Sequence, residues 1–187
     1  MKLFELRDLV RARTRDTVAP YLATDEEIDA NLNEAQREAC VRALLIEDEI
    51  TIDLNTTDTK YQLDPRVIDV IGIDDFYEDW TLNEQYLVLD KVPSADATLT
   101  LHVYRLPSSN MESDDDEPEI RPVYHTQMAD WAIYLHYMTP DADMFDGNAA
   151  ERYLARFVQS FGDRPNALTH RNRRSKTSRC VANNGYI

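Results

Sequence analysis

Apolar positions recur at helical spacing from the start of the chain. Leu3, Leu6, Leu9 and Val10 line one side of a segment that runs to about residue 15. Residues 16–23 interrupt it, and Pro20 disfavours a helical Ala19. A second helix is announced by Thr24 and Glu27, spaced as a capping box in which each side chain satisfies an orphan backbone N–H. Ile28, Leu32, Ala35, Ala39 and Ala43 then follow a three-and-four rhythm. Asn31, Glu34, Arg37 and Glu38 occupy the opposite, polar face, and the pattern predicts a helix over residues 25–46.

The period then changes to two. Ile50, Ile52 and Leu54 alternate with Thr51 and Asp53, the pattern of a half-buried strand. Asn55-Thr56-Thr57-Asp58 is a turn by composition. Residues 61–63 and 67–73 are further strands, separated by Asp64-Pro65. Residues 80–82 and 86–89 flank Asn83-Glu84-Gln85 as a hairpin without the usual glycine. Residues 98–105 alternate most cleanly, with Leu99, Leu101 and Val103 on one face and Thr100, His102 and Tyr104 on the other.

An acidic stretch from Ser113 to Glu119 follows, too polar to fold alone. Pro122 then opens a third helix over residues 122–138, with Tyr124, Met128, Trp131, Leu135 and Met138 as its apolar stripe. A fourth, over residues 148–161, carries Leu154, Phe157, Val158 and Phe161 and stops at Gly162. The expected fold is α+β and mainly α. It is a helical bundle with a β-rich insertion (about residues 50–105) between helices 2 and 3, followed by an extended C-terminal arm. No internal repeat is visible.

Charge adds an asymmetry to this layout. The 187 residues hold 20 Lys+Arg against 35 Asp+Glu, a net charge of -15. Residues 170–187 carry Arg171, Arg173, Arg174, Lys176 and Arg179 and no acid, which leaves 15 Lys+Arg against 35 Asp+Glu and a body near -20. The division expected is an acidic domain, residues 1–169, with a basic arm, residues 170–187, that meets a charged partner. Apolar runs are too short to span a membrane, and the first residues place charges where a secretion signal needs apolar ones. Cys40 and Cys180 lie far apart and read as thiols of a reducing compartment, consistent with synthesis in a cytoplasm.

Catalytic and metal chemistry find little support. His102, His125, His136 and His170 share no ligand spacing with each other or with the cysteines, and His136 is placed on a helix surface. Asp141, Asp143 and Asp146 approach a calcium-loop pattern, but Phe145 and Arg152 stand where oxygen ligands are required. No nucleophile elbow, P-loop or dinucleotide glycine pattern occurs. The expectation is therefore a non-enzymatic protein with no catalytic residue, cofactor or metal.

Magnitudes bound what the arm can do. Ordering about 18 residues costs on the order of 20–30 kcal/mol in backbone entropy. Five exposed ion pairs return only about 0.2–1 kcal/mol each. An ordered arm needs apolar anchors or backbone pairing as well, and Tyr186 and Ile187 are the anchors available. Two readings stay open from the residues alone: an assembly protein whose arm grips a partner, and a regulatory nucleic-acid-binding protein that uses the arm on phosphates. A small hydrolase with an unrecognised site is a third.

Several segments, in order, resemble the phage head-to-tail adaptor (connector) proteins. They are Thr24-Asp25-Glu26-Glu27 leading to Leu32-Asn33-Glu34-Ala35-Gln36-Arg37-Glu38-Ala39-Cys40, then Tyr61-Gln62-Leu63-Asp64-Pro65-Arg66-Val67. Val103-Tyr104-Arg105-Leu106-Pro107, Pro118-Glu119-Ile120, Tyr124-His125 with Asp130-Trp131-Ala132, and Ala149-Ala150-Glu151 with Phe161-Gly162 follow. The likeness spans about residues 1–165. It implies a structural protein of the virion neck that assembles as a homo-oligomeric ring, commonly twelve-fold, beneath the portal protein. Such a ring extends the channel for genomic DNA, which passes without sequence-specific binding, and docks a tail or nozzle protein. On this reading the arm binds the portal through Arg171, Arg173, Arg174, Lys176, Arg179, Tyr186 and Ile187. Acidic residues line the channel, with Asp114, Asp115, Asp116 and Glu117 the candidates and residues 74–79 a second acidic segment.

Overall fold

The computed structural model describes residues 1–76, 78–141 and 143–166. By its internal contacts the chain divides into two units, Met1–Leu45 with Pro107–Arg164, and a second built on Ile46–Leu106.

The first unit is helical. Helix α1 spans Leu3–Thr14 and α2 Asp25–Ala43. A 3-10 turn over Pro122–Tyr124 leads into α3, His125–Met138, and α4 covers Gly147–Phe161. The capping box at the start of α2 forms: Glu27 N donates to Thr24 Oγ1 at 3.2 Å and Thr24 N to Glu27 Oε2 at 2.8 Å. Helix α2 stops at Ala43 because Leu44 turns left-handed (φ 53°) and sends its N–H back to Cys40 O. Asp146 caps α4, accepting from Ala149 N, and Gly162 ends it at φ 81°. With ψ at 178°, that positive-φ conformation is one that glycine adopts without a Cβ penalty.

Helix α3 packs against α1, α2 and α4, which explains its burial. Met128, Ala129, Trp131, Ala132 and Ile133 are buried around more than half its circumference. A single stripe through Leu135 and Met138 does not describe it: Leu135 is half-buried and Met138 is exposed. Phe157 stacks between Trp131 and Phe161 at centroid distances of 5.1 and 4.6 Å, joining α3 to α4.

The second unit holds six strands, β1 (Glu47–Leu54), β2 (Lys60–Gln62), β3 (Val67–Ile73), β4 (Trp80–Asn83), β5 (Tyr86–Leu89) and β6 (Ala97–Arg105). They form two three-stranded antiparallel sheets ordered β1-β6-β3 and β2-β5-β4. Strand β1 pairs with β6 over its full length, from Glu47 opposite Tyr104 to Leu54 opposite Ala97. Leu54, Leu99, Leu101 and Val103 from one sheet and Tyr61, Leu82, Leu87 and Leu89 from the other are buried in one cluster. The β4–β5 hairpin closes with Glu84 at φ 54°, filling the role a glycine would usually take.

The fold class expected from the sequence is corrected here. Among the described residues, four α-helices accompany two antiparallel sheets, and the strands form a unit with a core of its own rather than an insertion in a helical bundle. The physical cause is that the period-two apolar faces of six strands are numerous enough to bury one another.

Candidate functional site

The acidic segment expected to line a channel is held against the helical unit at nearly every step. Asp116 O accepts from Leu3 N at 2.8 Å and Asp114 O from Phe4 N at 3.3 Å. These carbonyls satisfy N–H groups that the first turn of α1 leaves unpaired. Asp114 takes a hydrogen bond from Arg7 Nη2 at 3.1 Å and Asp115 one from Lys2 Nζ at 2.8 Å. Asp116 turns inward to accept from Glu112 N and Ser113 N, both at 2.8 Å, and these backbone donors hold its carboxyl below the usual range. Glu117 is exposed.

Two amides of α2 fix the ends of this loop. Asn33 Nδ2 donates to Met111 O at 3.0 Å while its Oδ1 accepts from Met111 N at 2.8 Å. Gln36 Oε1 accepts from Glu119 N. Asn33 and Gln36 are buried, and sequence reasoning passed over both. Their signal was available in part, since two amides border the apolar positions Leu32 and Ala35. The partners lie 78 and 83 residues away, which no local pattern reveals.

Three further charge networks tie the helical unit together. Arg11 and Asp16 are both buried and meet at 2.9 Å; Arg11 also reaches Asp25 at 2.6 Å and Ala23 O. Asp16 in turn accepts from Leu22 N and Ala23 N, so it holds the loop between α1 and α2. Asp130, on α3, lies between Arg13 at 2.6 Å and Arg156 at 3.3 Å. Burial pushes its carboxyl up, and the two guanidiniums oppose that shift. Glu38 binds Arg42 at 2.8 Å, and Arg42 continues to Gly162 O at 3.1 Å, with its guanidinium over the rings of Trp131 and Phe157. Glu38, assigned to the polar face of α2, is thus buried.

The histidines separate into two kinds. His102 is partly exposed on β6, 2.8 Å from Asp74. His125 and His136 are buried in α3, and desolvation lowers both. His136 was expected on a helix surface; instead it lines a cleft of about 240 Å³ with Ala23, Glu27, Ala30, Asn31, Thr139 and Met144. Among the described residues no group of three His, Cys, Asp or Glu side chains is placed to hold a metal ion, and no helix is long and apolar enough to cross a membrane. Asp141 bonds Asp143 N and Asp146 caps α4, so these acids complete turns. His170, Arg171, Arg173, Arg174, Lys176, Arg179, Cys180, Tyr186 and Ile187 lie outside the described residues.

What the described residues bring together is loop anchors, helix caps and ion pairs on an acidic chain. The chain belongs to the SU10 adaptor protein family, which it matches over residues 1–181. This is a family of phage head-to-tail adaptors, so the protein is a structural component of a bacteriophage neck whose membership implies contacts with portal and tail proteins. No curated protein matches the chain.

Proposed function

We propose that this adaptor assembles as a ring beneath the portal, extends the DNA channel and offers a docking layer to the tail. The observation that carries the reading is the family match over residues 1–181, which continues past the described residues into the basic arm. The arm, residues 170–187, is the portal-binding element: its five cations meet acidic portal groups, and Tyr186 and Ile187 supply the apolar contact that charge alone cannot replace. Charge supports the channel. The Ile46–Leu106 unit holds 14 Asp+Glu against 4 Lys+Arg, and such a surface repels DNA phosphates and lets the duplex slide. Asp114 and Asp115 keep exposed carboxylates although each meets a cation, and with Glu117 they give the 114–117 stretch its charge toward the lumen, while the Asp116 carboxylate is engaged by its own loop.

The test is electron microscopy of the purified chain mixed with portal. A ring-shaped layer on the portal is expected, and removal of residues 170–187 abolishes it while the circular dichroism spectrum keeps its helical signal. Absence of any layer with the intact chain overturns the reading. Loss of salt-dependent DNA binding on the same deletion, with portal binding intact, favours the nucleic-acid alternative instead.

A further inference from the structure

Strand β1 stands at one edge of the sheet ordered β1-β6-β3. Arg105 N donates to Ile46 O at 3.0 Å where the β1–β6 ladder begins. Hydrogen-bonded positions alternate in an antiparallel pair, so Asp48, Ile50, Ile52 and Leu54 turn their N–H and C=O groups to β6. Glu47, Glu49, Thr51 and Asp53 turn theirs the other way, where no strand pairs with them among the described residues. Glu49 N is met instead by the Asp48 carboxylate at 2.8 Å. The other edges are poorer templates: β3 carries two register shifts, and β2 and β4 span only three and four residues. Strand β1 offers eight residues in unbroken register.

Charge selects what this edge accepts. Glu47, Asp48, Glu49 and Asp53 are exposed, and β1 carries no cation. Another acidic strand is repelled there, whereas a basic one is attracted. Residues 170–187, which lie outside the described residues, hold five cations and no acid. In an extended strand Arg171, Arg173, Ser175, Thr177 and Arg179 share one face, just as Glu47, Glu49, Thr51 and Asp53 do on β1. Paired edge to edge, the two segments set cations and hydroxyls against acids and a hydroxyl at the same period. Backbone pairing also supplies the ordering that five exposed ion pairs cannot.

Connectivity favours the chain's own segment over that of another copy. Gly162 O accepts from Arg42 Nη1 at 3.1 Å, and Arg164 lies 3.7 Å from Glu38, so the chain leaves α4 beside the end of α2. Five residues separate Arg42 from Glu47, the first residue of β1. Nine separate Gly162 from Arg171, about 30 Å when extended, so the chain itself keeps the two segments within reach. A tether this short gives a millimolar-scale effective concentration, which a separate molecule does not match in dilute solution.

We propose that in the free protein residues 171–181 add as a fourth strand to the β1 edge of their own chain. Glu47, Glu49 and Asp53 then occupy the arm's cations until a more acidic or better-anchored partner takes them. The consequence for assembly rests on the portal-binding role proposed above: the portal must draw the arm off β1. Tyr186 and Ile187, beyond the paired stretch, are left to make the first contact.

Amide exchange followed by NMR tests the docking on the full chain and on a chain ending at residue 169. The Thr51 and Asp53 amides are expected to exchange at least tenfold more slowly in the full chain. Ile50 and Ile52, which donate to β6, are expected to exchange equally in both and so report that the sheet is intact. Arg171→Glu, Arg173→Glu and Arg179→Glu together are expected to act like the truncation. Glu47→Lys with Asp53→Lys is expected to free the arm and tighten portal binding about tenfold. Equal exchange at Thr51 and Asp53 with and without the arm overturns the docking and leaves the portal reading standing. Protection that disappears on tenfold dilution overturns the contact within one chain. Portal binding unchanged in the Glu47→Lys, Asp53→Lys variant overturns the resting-state role. Arm-dependent protection in a chain that never binds portal keeps the docked strand and removes the portal reading.

Discussion

Asn33 shows how one side chain can hold a loop that its own composition would leave unfolded. Both ends of its amide are engaged with Met111 N and O in a buried setting. Asn33→Ala leaves a donor and an acceptor unpaired and is expected to cost about 2 kcal/mol in a urea melt. Asn33→Asp, which can keep only the acceptor half, is expected to be destabilising too. His136 sets a pH dependence. Burial holds its pKa below the ordinary 6.5, against the pull of Asp16 and Glu27 and with the help of Arg11. As pH falls through 6.5 the unfolded chain takes up a proton that the folded chain refuses, so stability declines on the acid side of neutrality. His125 is lowered in the same way. The urea midpoint is therefore expected to fall between pH 7 and pH 5.5, and His136→Leu to flatten that fall in part. A midpoint equally pH-dependent in the variant rules out the role given to His136. At this scale the capping pair Thr24 and Glu27 was legible in the sequence because both partners lie within one turn. The buried roles of Asn33, Gln36 and His136 were not, because each depends on a partner or a neighbour far along the chain.

The helices and strands were largely legible as elements, since their periods are local properties of the backbone. Their ends were less so. Helix α2 ends three residues before the expected 46 because Leu44 adopts a left-handed conformation without a glycine to announce it. Strand β1 starts at Glu47 rather than at Ile50, since ladder pairing to β6 recruits three charged residues that an apolar alternation ignores. Two substitutions test the energetics at this scale. Leu101, fully buried on β6, contributes to the shared core of the two sheets, and Leu101→Ala is expected to cost about 2–5 kcal/mol of the strand unit's stability. Arg42 closes the end of α4 through Gly162 O and lies over two aromatic rings. Arg42→Met keeps the stem but leaves Glu38 buried with its hydrogen bond from Arg42 gone. We expect about 3 kcal/mol lost and faster amide exchange in the last turn of α4.

At the scale of the whole molecule the dominant property is a net charge of -15, which self-repulsion turns into a cost of compactness. Raising sodium chloride from about 20 to about 300 mM is expected to raise the melting temperature, because salt screens exposed repulsion more than the buried Arg11–Asp16 pair. A fall in melting temperature over that range shows instead that attractive surface pairs outweigh the repulsion. On the portal-binding role proposed for residues 170–187, the same salt change is expected to weaken that binding, because salt screens contacts between charged groups. The sequence by itself determined the periodic elements, the acidic body, the basic arm and the order of motifs that places the chain among phage adaptors. These depend on residue identity and spacing along one dimension. Only the tertiary structure decided that the strands have their own core, that Asp114–Asp116 are moored to α1, and that His136 lies beneath a cleft. Each of these is a meeting of residues remote in sequence, selected by burial and by the need to pair every enclosed polar group, and one-dimensional spacing carries no record of it.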